Sequence, residues 1–374
     1  MIQPPPVPRR RRWPLFLLAL VLLFSGLWTG FWYFAAGTAE DTIDGWRARE
    51  AQAGRLYSCA TQTVEGFPFG FALRCANAGI ELKSIEPPLA VQSKGLLVSA
   101  RLWQPTVLTG EFAGPVTIAA PGQPVSLSAS WRHAQTELRG LPTAPEHVTV
   151  KIEDPVVDRV LGGNLFRAAR LQLDGRILSG TVQDHPVIEI ALKLAAASAP
   201  GWHPAAALPV DADVTAVLRG LSDFSSKPWP ARFRELQAAG GRIEIVGARA
   251  QQGDTVAVGN GVLGLSPSGR LHGQLRLSVA NLEKLLPALG LDRMLAERSA
   301  PEQIESAIGA LDRIIPGLGN VARKNAGPAL AAGINLMGQP TELEGRRAVI
   351  LPLRFDDGAV SLGPFLIGYA PPLF

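Results

Sequence analysis

The stretch WPLFLLALVLLFSGLWTGFWYFAA, residues 13–36, carries no charged side chain and is longer than the ~20 residues that cross a bilayer core. A run of this kind predicts a membrane-spanning helix. Arg9, Arg10, Arg11 and Arg12 precede it and Glu40, Asp41, Asp44 and Arg47 follow it, so the positive-inside rule puts the N-terminus in the cytoplasm and exports the rest. Trp28, Phe31, Trp32, Tyr33 and Phe34 form an aromatic belt at the outer interface. The alternative is a cleaved signal peptide, because Gly37, Thr38 and Ala39 form a small-x-small site. The apolar run exceeds the ~7 to 15 residues of a signal's core, which favours a retained anchor. With no charge inside the span, its expected role is to anchor and not to transport.

The chain has 374 residues, 47% of them apolar, enough to bury a core, and a formal charge of +4. The four arginines of the tail supply that charge on their own, and the body is balanced. No phosphate-binding surface is indicated, so the membrane is the expected partner and nucleic acid is not.

Residues 1–12 are expected to be a cytoplasmic basic tail, 13–36 the transmembrane anchor, 37–54 a helical stalk and 55–374 a periplasmic β-rich domain. Thr38, Ala39, Glu40 and Asp41 resemble a capping box that would open the stalk, and Gly54 would close it. Beyond Gly54 the apolar period changes from helical to two: Phe69, Phe71, Leu73 and Cys75 alternate with Gly70, Ala72, Arg74 and Ala76. Short alternating runs broken by Gly and Pro continue to about residue 220, without crossover helices between them. The predicted fold class is therefore mainly β (α+β), an elongated antiparallel sheet with amphipathic helices.

A helix is expected over residues 227–241, closed by Gly240, and two more after Asn281. The last begins at a capping box, Ser299 to Glu302, and carries Ile304, Ile308, Leu311 and Ile315 on one face, the candidate apolar surface. Gly175, Gly269 and Gly358 each follow a polar residue between apolar runs and are read as hairpin turns.

Nothing in the residues nominates an enzyme, a cofactor or a metal. Gly259, Gly261 and Gly264 match a dinucleotide fingerprint, but strand and turn residues follow where a helix is needed. His133, His147, His185, His203 and His272 show no metal-ligand spacing. The carboxylate neighbours Glu153 with Asp154, and Asp356 with Asp357, would point to opposite faces of a strand and read as solvated ends.

The apolar sheet face has two possible fates. Helices cover it and the protein is a plain globule, or they leave a groove for an apolar ligand such as an acyl chain. A third possibility is that the helical stripe docks another envelope protein.

The basic tail and anchor, the stretch AEDTIDGWRAREAQAGRLYSC, the turn GFPFGFALRC and the ending LEGRRAVILPLRFDDGAVSLGPFLIGYAPPLF resemble domain-of-unknown-function family 2125, anchored envelope proteins of alphaproteobacteria. The turn followed by alternating apolar residues is also similar to the start of AsmA-like envelope proteins. That distant likeness implies an elongated sheet with an apolar inner face and, for the better-known relatives, a part in moving phospholipid. It carries no catalytic residue to this chain. The resemblance fits an inner-membrane, single-pass protein handling lipid locally.

Export also decides how Cys59 and Cys75 read. They are the only two cysteines, and an oxidising periplasm favours a disulfide over a metal or redox site. Direct pairing across a hairpin centres its turn on Gly66, Phe67 and Pro68.

Overall fold

The computed structural model describes residues 13–282 and 338–374, apart from 84, 86, 142–143, 202–203, 226 and 363–364. Its first element is one unbroken helix, α1 (Trp13–Gln52), of about 60 Å at 1.5 Å per residue. The helix does not restart at Thr38. The Thr38 hydroxyl donates to the carbonyl of Phe34 at 3.0 Å, and Thr42 does the same to Thr38 at 2.8 Å. Threonines bonded back one turn sit inside a helix and cap nothing, so the predicted anchor and stalk are continuous. Gly54 does close the helix: its φ of 77° is open to glycine, and its N–H bonds the carbonyl of Ala51 at 3.0 Å.

The chain then builds a 19-stranded antiparallel sheet. The first strands are β1 (Arg55–Glu65), β2 (Gly70–Leu82), β3 (Leu89–Arg101), β4 (Gln104–Ala119), β5 (Leu127–Ser130), β6 (His133–Arg139), β7 (His147–Glu153), β8 (Val156–Arg159) and β9 (Gly163–Arg167). β10 (Arg170–Thr181), β11 (Asp184–Ala197) and β12 (Val210–Arg219) lead into α2 (Trp229–Ala238). β13 (Arg242–Gln252), β14 (Thr255–Leu265), β15 (Leu271–Ala280), β16 (Gln339–Leu343), β17 (Arg346–Asp356), β18 (Ala359–Leu362) and β19 (Phe365–Tyr369) complete it.

Sequential hairpins give the order β1 to β4, then β6, β7, β10 to β15, β17, β18 and β19. The long β4 serves two neighbours. Its first half pairs with β6 and its second with β5, from which β8 and β9 branch. β16 covers the start of β17 on the side away from β15.

Gly269 (φ 73°) and Gly358 (φ 85°) stand at hairpin turns as expected. Gly175 does not. It lies mid-strand in β10, opposite Val148 of β7 and Ile190 of β11, and the turn comes only where Thr181 pairs with Asp184. Partners on both sides hold Gly175 extended, so its polar neighbour Asp174 marks the outer face and not a turn.

Fully buried side chains are few. Val279, Leu282, Val349 and Leu351 form one cluster, and Val256, Ala280 and Ala348 another beneath Leu343. The third joins Ile188 and Leu221 to Leu236 of α2, with Phe233, Leu218 and Leu265 against it. The α2 helix thus covers the ends of the central strands β11, β12 and β14. Three charged side chains and two backbone groups fasten it there. Lys227 donates to the Glu235 carboxylate at 2.8 Å, Arg232 at 3.0 Å, and the N–H of Ser222 at 2.7 Å, while Arg232 also reaches the Asp223 carbonyl at 2.8 Å.

Burial works against the charge on Glu235, but the Lys227 bond, the Ser222 N–H and Arg232 outweigh it and hold its pKa at about 2, below the ordinary 4.5. A folded-state pKa lowered in this way stabilises above the unfolded value and is lost as pH falls through the folded one. Protection of the α2 amides against hydrogen exchange, corrected for intrinsic rate, should therefore weaken between about pH 4.5 and 2 and be unchanged from pH 5 to 7.

Candidate functional site

Antiparallel register carries a side-chain face unchanged from strand to strand, so one row of partners identifies everything on that face. Val148 lies opposite Gly175, Gly175 opposite Ile190, Ile190 opposite Ala216, and Ala216 opposite Ile245. The next row runs Val150, Leu173, Leu192, Val214, Ala248 and Gly259, then through Leu277 to Leu351. Every residue in both rows is apolar. The eight adjacent strands from β7 to β17 make this strip about 34 Å long at about 4.8 Å per strand.

The other face is charged. Arg176 pairs with Glu189 at 2.7 Å, Lys193 with Asp213 at 3.2 Å, and both Arg219 (3.1 Å) and Arg242 (2.7 Å) with Glu244. The Arg242 and Arg219 bonds hold the Glu244 pKa below the usual carboxylate range. Exposed pairs of this kind add little stability, but they mark the solvated side.

Among the described residues no second layer covers the strip over β7 to β11, whereas α2 packs on the row beside it at Ile188 and Leu218 and the far end is closed, with Leu351 only 3% exposed. Val148, Leu173, Ile190 and Ile243 retain 37–38% exposure, and a Cβ built on Gly175 would meet nothing within 4 Å. Two of the fingerprint glycines, Gly259 and Gly261, fall here too. A Cβ at Gly259 would stand 2.6 Å from Cδ2 of Leu277, so the glycine lets that leucine lean across the strand, and the motif serves packing instead of phosphate. A cavity of about 40 Å3 beneath α2, between Leu218, Phe233, Leu236 and Leu263, has room for water but not for an acyl chain. A larger hollow of about 340 Å3, between Ser58, Asn77, Gln92, Lys94 and Thr117, is lined by polar side chains and suits an acyl chain less well than the open face.

At the β1–β2 end of the sheet α1 rests on the same face. Trp32 is 5% exposed, stacks on Phe71 at 5.5 Å and 8°, and meets Phe67 edge-on at 5.5 Å. Its indole N–H donates to the Gly70 carbonyl at 3.0 Å, and that of Trp28 to Pro68 at 3.1 Å. Farther along, Trp46 packs on Tyr57 at 4.6 Å and Arg47 donates to Gln62 at 2.6 Å. The helix closes this end of the strip and brings it beside the span. Among the described residues α1 is the one helix long and apolar enough to cross a membrane.

A family model described as an uncharacterized protein conserved in bacteria (DUF2125) matches residues 32–371. The chain belongs to that family. No curated protein and no solved structure matches it. The match to DUF2125 begins at Trp32, the residue that docks α1 on the sheet, and runs through β19.

Cys59 and Cys75 are joined in this DUF2125 chain, with Cα atoms 5.6 Å apart. Their register differs from direct pairing: Cys59 stands opposite Ala78 and Cys75 opposite Gln62. Ala60 and Thr61 are both exposed and Asn77 has a φ of 49°, so each strand slips its alternation by one residue. The slip keeps both cysteines on the α1 side. Closing a loop of this size stabilises by roughly 3 kcal/mol in the chain-entropy model. The double variant Cys59→Ser/Cys75→Ser should lose about that much in denaturant unfolding, and an unchanged midpoint would contradict it.

Ile304, Ile308, Leu311 and Ile315 lie outside the described residues. Among the described residues the histidines do not converge, and His203 lies outside them. His147 and His272 each face one carboxylate at 3.8 Å, of Asp174 and Asp356, and His185 bonds its neighbour Asp184. No group of three or more His, Cys, Asp or Glu fit to hold a metal occurs among the described residues. Ser266 and Ser268 both donate to Asp357, joining the β14–β15 and β17–β18 turns. Those bonds, Ser268 first, keep the Asp357 pKa below its ordinary value. The residues that sequence reasoning left unnamed are those of the strip itself. Their signal was the alternation within each strand, but only the register shows that the apolar sides coincide.

Proposed function

We propose that this protein is a non-enzymatic, single-pass inner-membrane protein that holds the acyl part of a lipid along the open face of its sheet, on the periplasmic side. The observation that carries the proposal is the apolar strip from Val148 to Leu351, half-exposed at Val148, Leu173 and Ile190, buried at its Leu351 end, and running toward the helix able to span the membrane. An acyl chain needs no hydrogen-bond partner, and a surface of aliphatic side chains and glycines offers it contact without a polar cost. The arginine cluster before the span and the Cys59–Cys75 bond support the periplasmic placement.

The test is organic extraction of the full chain, purified in detergent, followed by mass spectrometry. Phospholipid should be recovered at a fixed ratio to protein, above that of an unrelated single-pass protein prepared identically. Recovery no higher than that control would overturn the reading. Partner docking through the same face would instead give one protein captured at strip positions and no lipid.

A further inference from the structure

We infer that the tips of the β1–β2 and β3–β4 hairpins form a foot that enters the interfacial layer of the bilayer, with Phe67, Phe69 and Trp103 as its membrane contacts. The inference rests on α1 spanning a membrane and not on lipid occupying the strip. At 1.5 Å per residue, Trp28 lies about 22 Å and Trp32 about 28 Å from Trp13, close to the far boundary of a ~30 Å hydrocarbon layer. The indoles of these two tryptophans bond directly to the carbonyls of Pro68 and Gly70. The first hairpin tip is therefore fastened at the height of the membrane surface.

The second tip is tied to the first, because the N–H of Leu102 donates to the carbonyl of Phe69 at 3.1 Å. In water the two tips would be poorly designed. Phe67 is 48% exposed, Phe69 66% and Trp103 65%, all at one edge of the sheet. At a membrane surface the same features are favourable, since aromatic rings settle at the headgroup level.

Backbone polarity is also managed as that environment requires. The N–H groups of Phe69 and Gly70 both bond the Gly66 carbonyl, at 3.1 and 3.0 Å, and two of the tip's own carbonyls take the indole bonds. Arg101, paired in register with Gly70, is exposed beside Trp103, where an arginine can reach lipid phosphate. The foot would set the sheet's first strands on the membrane and leave α1 little freedom to tilt against them.

The experiment places an environment-sensitive nitrobenzoxadiazole label on a single added cysteine at Phe69, Trp103 or Leu161 in the full chain, reconstituted in phosphatidylcholine vesicles. Leu161 is the control: it is 99% exposed and lies past the far end of β4, about 50 Å along the strand direction from Trp103. Labels at 69 and 103 should be quenched several-fold more by lipid-borne nitroxide than the label at 161, and less by aqueous iodide. Quenching at 69 and 103 equal to that at 161 by both reagents would overturn the foot. Because label insertion could perturb one turn, each variant is checked for the intact Cys59–Cys75 bond. Agreement of the two tip positions, on separate hairpins, is required. Lipid recovery by extraction is independent of this result, so the foot and the lipid-holding strip can fail separately.

Discussion

Glutamate at Ile190 or Leu192 should strip the protein of bound lipid while leaving the sheet folded. Both side chains lie on the central strand β11 of the apolar strip, and Ile190 is 37% exposed, so a carboxylate there can stay hydrated in the free protein. Once an acyl chain lies over it, that carboxylate is buried without a partner, at a cost of several kcal/mol. Each 1.4 kcal/mol is tenfold in affinity, so retained lipid should fall by roughly a hundredfold or more. Thr215→Glu on the neighbouring strand β12 is the matched control: Thr215 pairs with Ala191 and faces the charged side. It should retain lipid as the unaltered protein does. Loss of lipid in all three variants, or in none, would count against the strip as the binding surface.

Trp32→Ala should undock α1 from the first hairpin. The ring is 5% exposed between Phe71 and Phe67, and removing a buried tryptophan costs about 3–5 kcal/mol in lost contact and residual cavity. Trp32→Phe keeps the ring over Phe71 but deletes the N–H that the Gly70 carbonyl accepts, so it should cost only about 1 kcal/mol, plus a small packing loss. The readout is hydrogen-exchange protection of β1 and β2 in the full chain. Alanine should lower it strongly and phenylalanine weakly, whereas equal protection in both would mean that the hairpin stands without the helix.

The parts of the fold legible beforehand were those set by local chemistry. An uncharged apolar run predicts a spanning helix, period-two runs without crossovers predict an antiparallel sheet, and Gly54, Gly269 and Gly358 mark ends because each takes a left-handed φ. What stayed hidden depends on partners distant in the chain. Gly175 reads as a turn until β7 and β11 are seen on either side of it. The hairpin turns between Pro68 and Phe69 and not at Phe67, which offsets Cys59 and Cys75 by three positions, and the slips at Ala60, Thr61 and Asn77 that return both to one face have no mark in simple alternation. Thr38 looks like a cap because its sequence neighbours suit one, yet its hydroxyl finds the Phe34 carbonyl inside a continuing helix. The strip could be foreseen as an apolar face but not as named rows, since rows exist only through register.

In-cell photocrosslinking from the strip tests the central claim most directly. A diazirine side chain at Leu192, which faces the strip, should yield lipid adducts, and the same probe at Lys193, which faces Asp213 across the charged side, should not. Lipid adducts absent at Leu192, or equally frequent at both positions, would contradict it.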